Sequence, residues 1–411
     1  MRKLLLASAA TMGALLATTG GALAQPVKAP APGTVAVHLS GWLDFEGVLL
    51  NNPNTGSSAE TTKYSALTTV GLFRLYPGFD ATLPTGLQYG VASEIRDTLA
   101  APNGAGVNGN AASSNGTVSL YVRRAYGYIG TAEGGYVRFG QTDSAFSLMS
   151  YGDIESFGDG QQWNSDLGTA AVVIAGKPNN LFAVTGLLYT TSKIVYESPS
   201  FAGVNFVVGF EPSSNGIAEG TLGDLGGASA IPGGSNNRRR NTIDAMVGYT
   251  AKVDDALVKV SGGYLDGSPL GNTTGGQAFK NMGIAQFGGQ VTYAGLTVGA
   301  NLKEGSVNDG YTFLKAGQRK DDDLLVSAAY TMGPVILGAS YFFNQSAGAY
   351  TAGSHIARTE SNDGVALGAN YNFTPAFGLF AQYLYGQVHQ PGASVPKSHS
   401  NLLGVGASLH W

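Results

Sequence analysis

From Val326 to Phe343 the chain runs VSAAYTMGPVILGASYFF, with apolar residues on every second position either side of a Met332-Gly333-Pro334 break. A period of two is the signature of β-strands, because successive side chains leave a strand on opposite faces. The short break between the two runs predicts a tight turn joining neighbouring strands. One face carries Val326, Ala328, Tyr330, Val335, Leu337, Ala339, Tyr341 and Phe343, and the other is small and mixed. Such a ribbon needs a different environment on each side.

The pattern recurs along the chain. TVAVHLSGWLDFEGVLL sets Val35, Val37, Leu39, Leu43 and Phe45 against His38, Ser40, Trp42, Asp44 and Glu46. AQFGGQVTYAGLTVGANLK sets Phe287, Val291, Tyr293, Leu296, Val298, Ala300 and Leu302 against Gln286, Gln290, Asn301 and Lys303, with Ala294-Gly295 as the turn. Sixteen such strands are expected, near 34–50, 63–76, 87–98, 117–130, 135–143, 186–198, 202–211, 240–251, 255–266, 282–293, 295–304, 322–332, 334–344, 362–373, 376–388 and 399–411. Short connections such as TAEGG and YAG alternate with long Gly/Asn/Ser-rich ones.

Composition says what the two faces meet. Charged residues are 12% of the chain, against about 25% in ordinary soluble domains. No run beyond the first segment has 18 uninterrupted apolar residues, so a helical membrane span is not expected. A chain that meets lipid without helices must close its strands into a barrel, since only closure satisfies every backbone N–H and C=O there. Sixteen strands enclose an aqueous lumen rather than a filled core. The Val/Leu/Ala face is then expected in lipid, with Tyr and Phe at the two interfaces, and the Ser/Gly/Gln/Asn face in water. A large secreted all-β protein is the competing architecture, but it would need neither so few charges nor aromatics beside each short turn.

Residues 1–24 are expected to be a signal peptide: Arg2 and Lys3, a short apolar core interrupted by Gly and Thr, then Ala22-Leu23-Ala24 before Gln25. Residues 25–411 are the expected barrel domain. Zero cysteines are compatible with export, because a closed barrel needs no disulfide. The net charge of −4 gives no sign of a nucleic-acid partner.

One long connection differs. Residues 144–182 hold SYGDIESFGDGQQWNSDLG and then the apolar AAVVIAG. A loop of this length with apolar runs of its own is expected to pack inside the barrel.

RRAYGYIG followed by GGYVRFGQTD, the long third loop, VYESPSFAGVNFVVGF and a terminal aromatic strand together resemble the general, trimeric, sixteen-stranded outer-membrane porins of Gram-negative bacteria. The resemblance spans essentially all of residues 25–411. It implies an outer-membrane location, a homotrimer embedded among lipid and lipopolysaccharide, and passive diffusion without cofactor, metal or catalysis. It implies that residues 144–182 fold inward as a constriction loop, with Asp153, Glu155 and Asp159 as its candidate acids. Glu155-Ser156-Phe157-Gly158-Asp159 resembles the family's acidic loop segment with one residue inserted. Facing cations would be Arg123, Arg96, Arg74, Lys193 and Arg138. The terminal strand, ending here in Trp411 rather than Phe, is the family's signal to the barrel-assembly machinery.

Strict alternation with Val122 outward puts Tyr121, Arg123 and Ala125 inward and Arg124, Tyr126 and Tyr128 outward. An outward arginine would suit a subunit interface. Asp44, Glu46 and Glu94 face the lumen and tip its charge negative, so weak cation selectivity is expected. A channel for sugars, phosphate or organic acids is the alternative, though Trp42, Tyr121, Trp163 and Phe342 form no obvious track. An adhesin or lipid hydrolase is more remote. His38 and Ser40 share a face, but no acid to orient the imidazole is evident. Gly104-x-Gly106-x-x-Gly109 lacks the βαβ setting that phosphate binding requires. Arg238-Arg239-Arg240 and Asp321-Asp322-Asp323 read as solvated rim charge, and the five histidines show no zinc spacing.

Overall fold

The computed structural model describes residues 30–50, 66–97, 120–163, 191–214, 239–269, 279–308, 311–348, 359–390 and 397–411. The first half contributes β1 (Val35–Leu50), β2 (Leu67–Thr82), β3 (Gln88–Asp97), β4 (Tyr121–Thr131), β5 (Gly135–Gln141), β6 (Ser192–Glu197), β7 (Val204–Ser213) and β8 (Arg239–Val253). The second contributes β9 (Ala256–Pro269), β10 (Met282–Tyr293), β11 (Leu296–Ser306), β12 (Asp321–Met332), β13 (Val335–Ser346), β14 (Glu360–Thr374), β15 (Phe377–His389) and β16 (Lys397–His410). A single turn of helix, α1 (Ala145–Leu148), follows β5.

Each strand pairs antiparallel with its neighbours in sequence, and β1 pairs with β16, so the sheet is a closed barrel. Closure runs from Trp42↔His410 to Leu50↔Leu402. It is extended at its edge by Gly41 and Trp411, which exchange backbone hydrogen bonds of 3.0 and 3.2 Å. The Trp411 ring lies across Gly41, where a Cβ would stand 2.1 Å from it, and packs toward Phe73. Turn chemistry serves the register too. Ala294 and Gly295, both at positive φ, make the two-residue turn between β10 and β11 that sequence predicts.

Alternation sorts the side chains as expected. Val37 is 83% exposed and Val405 61%, and similar apolar residues continue around the outside. Leaving one such side chain in water forfeits about 1.5–3 kcal/mol. Repeated over the outer rows, this requires an apolar surrounding, which a bilayer supplies. The inner face carries buried polar groups, among them Asp44, Glu46, Gln286, Asn301, Lys303, Ser340 and Gln382.

Two local departures have physical causes. β2 was expected to stop before Pro77, yet it runs through to Thr82. Its pairing with β1 is unbroken, Leu39 facing Pro77, while pairing with β3 lapses between Leu75 and Gly78. The missing proline N–H therefore falls in a local gap of one ladder.

The second departure overturns the expected parity of β4. Pairing with β3 shifts register between Glu94↔Arg124 and Ile95↔Val122, so Arg123 is the extra residue of a β-bulge. Beyond it the faces are exchanged. Arg124, Tyr126 and Tyr128 turn inward, and Ala125 and Gly127 turn outward, with the Phe139 ring covering Gly127. Arg124 thus gives no argument for a subunit interface.

Replacing Gly41 by valine should disturb closure through the Trp411 ring. We expect the melting temperature of the purified barrel to fall, corresponding to about 1–3 kcal/mol. Heat-modifiable mobility in gels would report it, and a wild-type melting temperature would contradict the role given to this contact.

Candidate functional site

After β5 the chain does not return directly to β6. Thr142–Trp163 is hydrogen-bonded to polar residues of β8, β11, β13, β14 and β15 that lie opposite the exposed apolar rows. At its root, Ser144 caps α1 and the Phe146 N–H donates to Asp244 (3.0 Å). Lys193 donates to the Thr142 carbonyl (2.9 Å) and to the Thr191 carbonyl and hydroxyl (2.9 and 2.7 Å). In the middle, the Asn301 amide donates to the Tyr151 carbonyl (2.7 Å). Further on, Gly158 and Asn370 exchange two bonds (2.7 and 2.8 Å), and the Trp163 indole donates to Ser340 (2.8 Å).

Apolar packing holds the same segment. Phe146, Met149 and Tyr151 join Val195, Val207, Met246 and Leu265, while Ile154, Phe157 and Trp163 join Leu325, Phe342 and Leu384. Phe157 enters a socket made by the cross-strand pair Gly338↔Gly368, where a Cβ would stand 2.0 or 2.6 Å from its ring. Only glycine leaves room at either position. The predicted apolar run AAVVIAG lies outside the described residues. A second connection is buried as well, where a long Gly/Asn/Ser-rich loop was expected. Val307, Tyr311 and Phe313 are buried beside Phe279, Met282 and Ile284.

On β2–β4, four of the sequence's arginines converge on one acid. Glu94 pairs with Arg96 and lies 3.0 Å from Arg123, 2.6 Å from Arg124 and 3.9 Å from Arg74. The bulge makes this possible, because it brings Arg123 and Arg124 to the same side. Arg124 also pairs with Asp143. The guanidinium of Arg74 lies 4.7 Å from the centre of the Trp42 ring, which also stacks with His410 at 5.5 Å.

The remaining candidate cations stand elsewhere. Arg138 pairs with Glu197 and lies over the Tyr126 ring at 5.3 Å. Lys193 is buried at the loop root, 3.9 Å from Glu211, where it anchors backbone rather than lining open space.

The candidate acids are not equivalent. Glu155 accepts from the Trp163 N–H (2.9 Å), which folds the segment on itself. Asp159 accepts from the Gln161 N–H (2.9 Å), and its own N–H donates to Gln382 (3.3 Å). Gln382 in turn donates to Glu46 (2.8 Å), which ties the Asp159 backbone to the acid-bearing face of β1, where Asp44 lies two residues from Glu46. Asp153 accepts from Ser150 (2.9 Å). Burial pushes its carboxyl up from the usual 3.8 to about 6, against the opposing pull of Lys303.

Other motifs change meaning in three dimensions. His38 does have an acid, Asp80, at 3.4 Å. Asp80 pairs with Ala36 on β1, so the imidazole turns away from Ser40. Asp321 and Asp323 are buried under Asn344, and only Asp322 reaches the rim, 2.5 Å from Arg319. Arg239 is buried 3.2 Å from Glu211, and Arg240 is exposed. Two of these charge runs were expected to be solvated. Period-two alternation divides them between faces instead. Among the described residues no three His, Asp or Glu side chains are grouped to hold a metal. Arg238 and the Tyr121 side chain lie outside the described residues.

A family model described as Gram-negative porin matches residues 7–391. No curated protein matches the chain. Among solved structures, the outer membrane channel DcaP of Acinetobacter baumannii is similar at a TM-score of 0.59 and 13% identity, covering 93% of this chain and 100% of that one. The anion-selective porin from Comamonas acidovorans aligns at 0.57 and 15% identity, covering 92% and 100%. The trimer form of in-vitro folded OmpT, an outer membrane protein of Vibrio cholerae, aligns at 0.54 and 16%, also covering 92% and 100%. At these identities the likeness is one of fold.

The environment of Asp153 has a direct readout. Carboxyl-¹³C titration of the aspartates should show one resonance with a midpoint near 6 that disappears in Asp153→Asn. A midpoint at the ordinary 3.8 would contradict the desolvation of this half-buried carboxyl.

Proposed function

The chain belongs to the Gram-negative porin family, and on that premise we propose that it forms a water-filled pore for passive diffusion of small hydrophilic solutes and ions. Its place is the outer membrane. The observation that carries the reading is the division of faces. A closed sheet with exposed apolar rows outside and buried or half-buried polar groups inside suits lipid on one side and water on the other.

In this reading Thr142–Trp163 narrows the lumen. Its hydrogen bonds fall mainly on β6–β15, with Asp143 tied to Arg124 on β4 and with Val48 and Leu402 in the cluster of Phe157 and Trp163; in this reading the walls of β1–β5 are the side that passing solutes meet. Those walls carry Trp42, Tyr76, Tyr126, Tyr128 and Tyr136 with the arginines around Glu94. Asp44, Glu46 and Asp159 stand beside them. Opposed charge sets on a narrow lumen give a strong transverse field and little net preference along the axis, because low-dielectric walls focus both. We assign weak cation selectivity, the acidic group outweighing the paired arginines. The protein works as a homotrimer among lipid and lipopolysaccharide, its Trp411 strand read by the barrel-assembly machinery.

A second reading has one observation in its favour. Tyr126, Tyr128 and Tyr136 turn inward, with Tyr128 bonded to Asp80 and Tyr136 to Gln88 (2.7 Å). Such a patch suits a solute-selective channel for sugars or organic acids. Liposome swelling with graded solutes separates the two: general diffusion gives rates that fall smoothly with size, and selectivity gives one solute far above that curve.

Deleting Asp153–Gly160 should raise single-channel conductance and admit larger sugars. An unchanged conductance and size cut-off would mean that the segment does not narrow the lumen.

A further inference from the structure

We infer that Glu94 sets the ionic preference of the lumen by holding Arg74, Arg96, Arg123 and Arg124 as one fan and offsetting part of their charge. The inference rests on the channel reading above and names the residue that tunes it.

The fan follows from strand geometry. Arg96 is two residues along the same strand as Glu94, hence on the same face. Arg124 stands directly opposite on β4, and the bulge brings in Arg123 beside it. Arg74 reaches over from β2, where it faces Arg96 across the strands. Arg74 and Arg96 would repel as a directly opposed like-charged pair. A carboxylate between the strands relieves that repulsion. Glu94 is 1% exposed as a side chain, and the four guanidinium groups lie within 3.9 Å or closer.

A buried carboxylate is retained only when paired, so the arginines hold Glu94 in place as much as it holds them. Asp143 adds a second negative charge through Arg124. Four positive charges against two leave this cluster net positive. Removing the central acid raises that excess by one unit charge and frees the arginines from a common anchor. Beside a narrow aqueous path, one unit charge shifts ion preference by an amount that screening limits to the nearest Debye length, about 8–10 Å.

Wild type, Glu94→Gln, Arg124→Gln and the double variant would be recorded in planar bilayers under a KCl gradient. Glutamine keeps the shape and one acceptor of Glu94, so the charge is the main change. Glu94→Gln should shift the reversal potential toward chloride, the cation-to-anion permeability ratio falling by about three-fold. Arg124→Gln should move it the opposite way. The double variant, with the local charge restored, should return toward wild type, which a merely structural role for Glu94 would not produce. Should Glu94→Gln fail to reach the membrane, Arg124→Gln alone still decides, and an unshifted potential there overturns the inference. Conducting Glu94→Gln channels with the wild-type reversal potential overturn it as well. A wild type without any conductance rejects the channel reading itself, and with it this role for Glu94.

Discussion

Everything in this protein depends on one backbone constraint: in lipid, no N–H or C=O of the sheet can be left without a partner. A sheet with two free edges fails that condition at each edge. Here β1 and β16 join the two edges by pairing from Trp42↔His410 to Leu50↔Leu402, and the Gly41–Trp411 exchange extends the end of the seam. Once the sheet is closed, alternation is no longer a local preference. It assigns each residue to the outside or the inside of a cylinder. Every charge on a strand must then face inward, lie near a rim or be covered.

That logic explains why so much of the architecture is legible in the sequence. Strand number, turn positions and the lipid-facing rows follow from period-two patterning and glycine-bearing turns, as in Tyr293-Ala294-Gly295. The failures are instructive because they come from single residues. One inserted residue at Arg123 exchanges the faces of all that follows on β4, and no composition signal marks it. The strand expected near 63–76 runs on through Pro77, because the ladder to β3 lapses there and asks for no proline N–H. Arg239 and Asp321 looked like solvated runs because a linear sequence does not show which strand lies alongside.

The candidate site was legible in kind more than in arrangement. Acids on the long connection and arginines on β2–β4 could be named from the chain. Their partners could not, since Glu94 and Arg124 meet only through strand register. The pairing also changes the meaning of Glu94, from one more lumen acid to the centre of a basic cluster. Likewise Lys193 passes from wall cation to anchor of the loop root. The seating of Phe157 depends on Gly338 and Gly368, two glycines that look unremarkable among 61 until they are found side by side. Close packing of a loop against a wall is made by what is left out as much as by what is present.

The most direct measurement of the central claim, that the polar face lines a water-filled path, uses the absence of native cysteine. Tyr126→Cys and Ala125→Cys differ by one position, and the register places them on opposite sides of the wall. A charged, water-soluble thiol reagent added to bilayer-inserted channels should step the current through Tyr126→Cys and leave Ala125→Cys unchanged. A current step at Ala125→Cys with an inert Tyr126→Cys would contradict both the register of β4 and the lumen it lines.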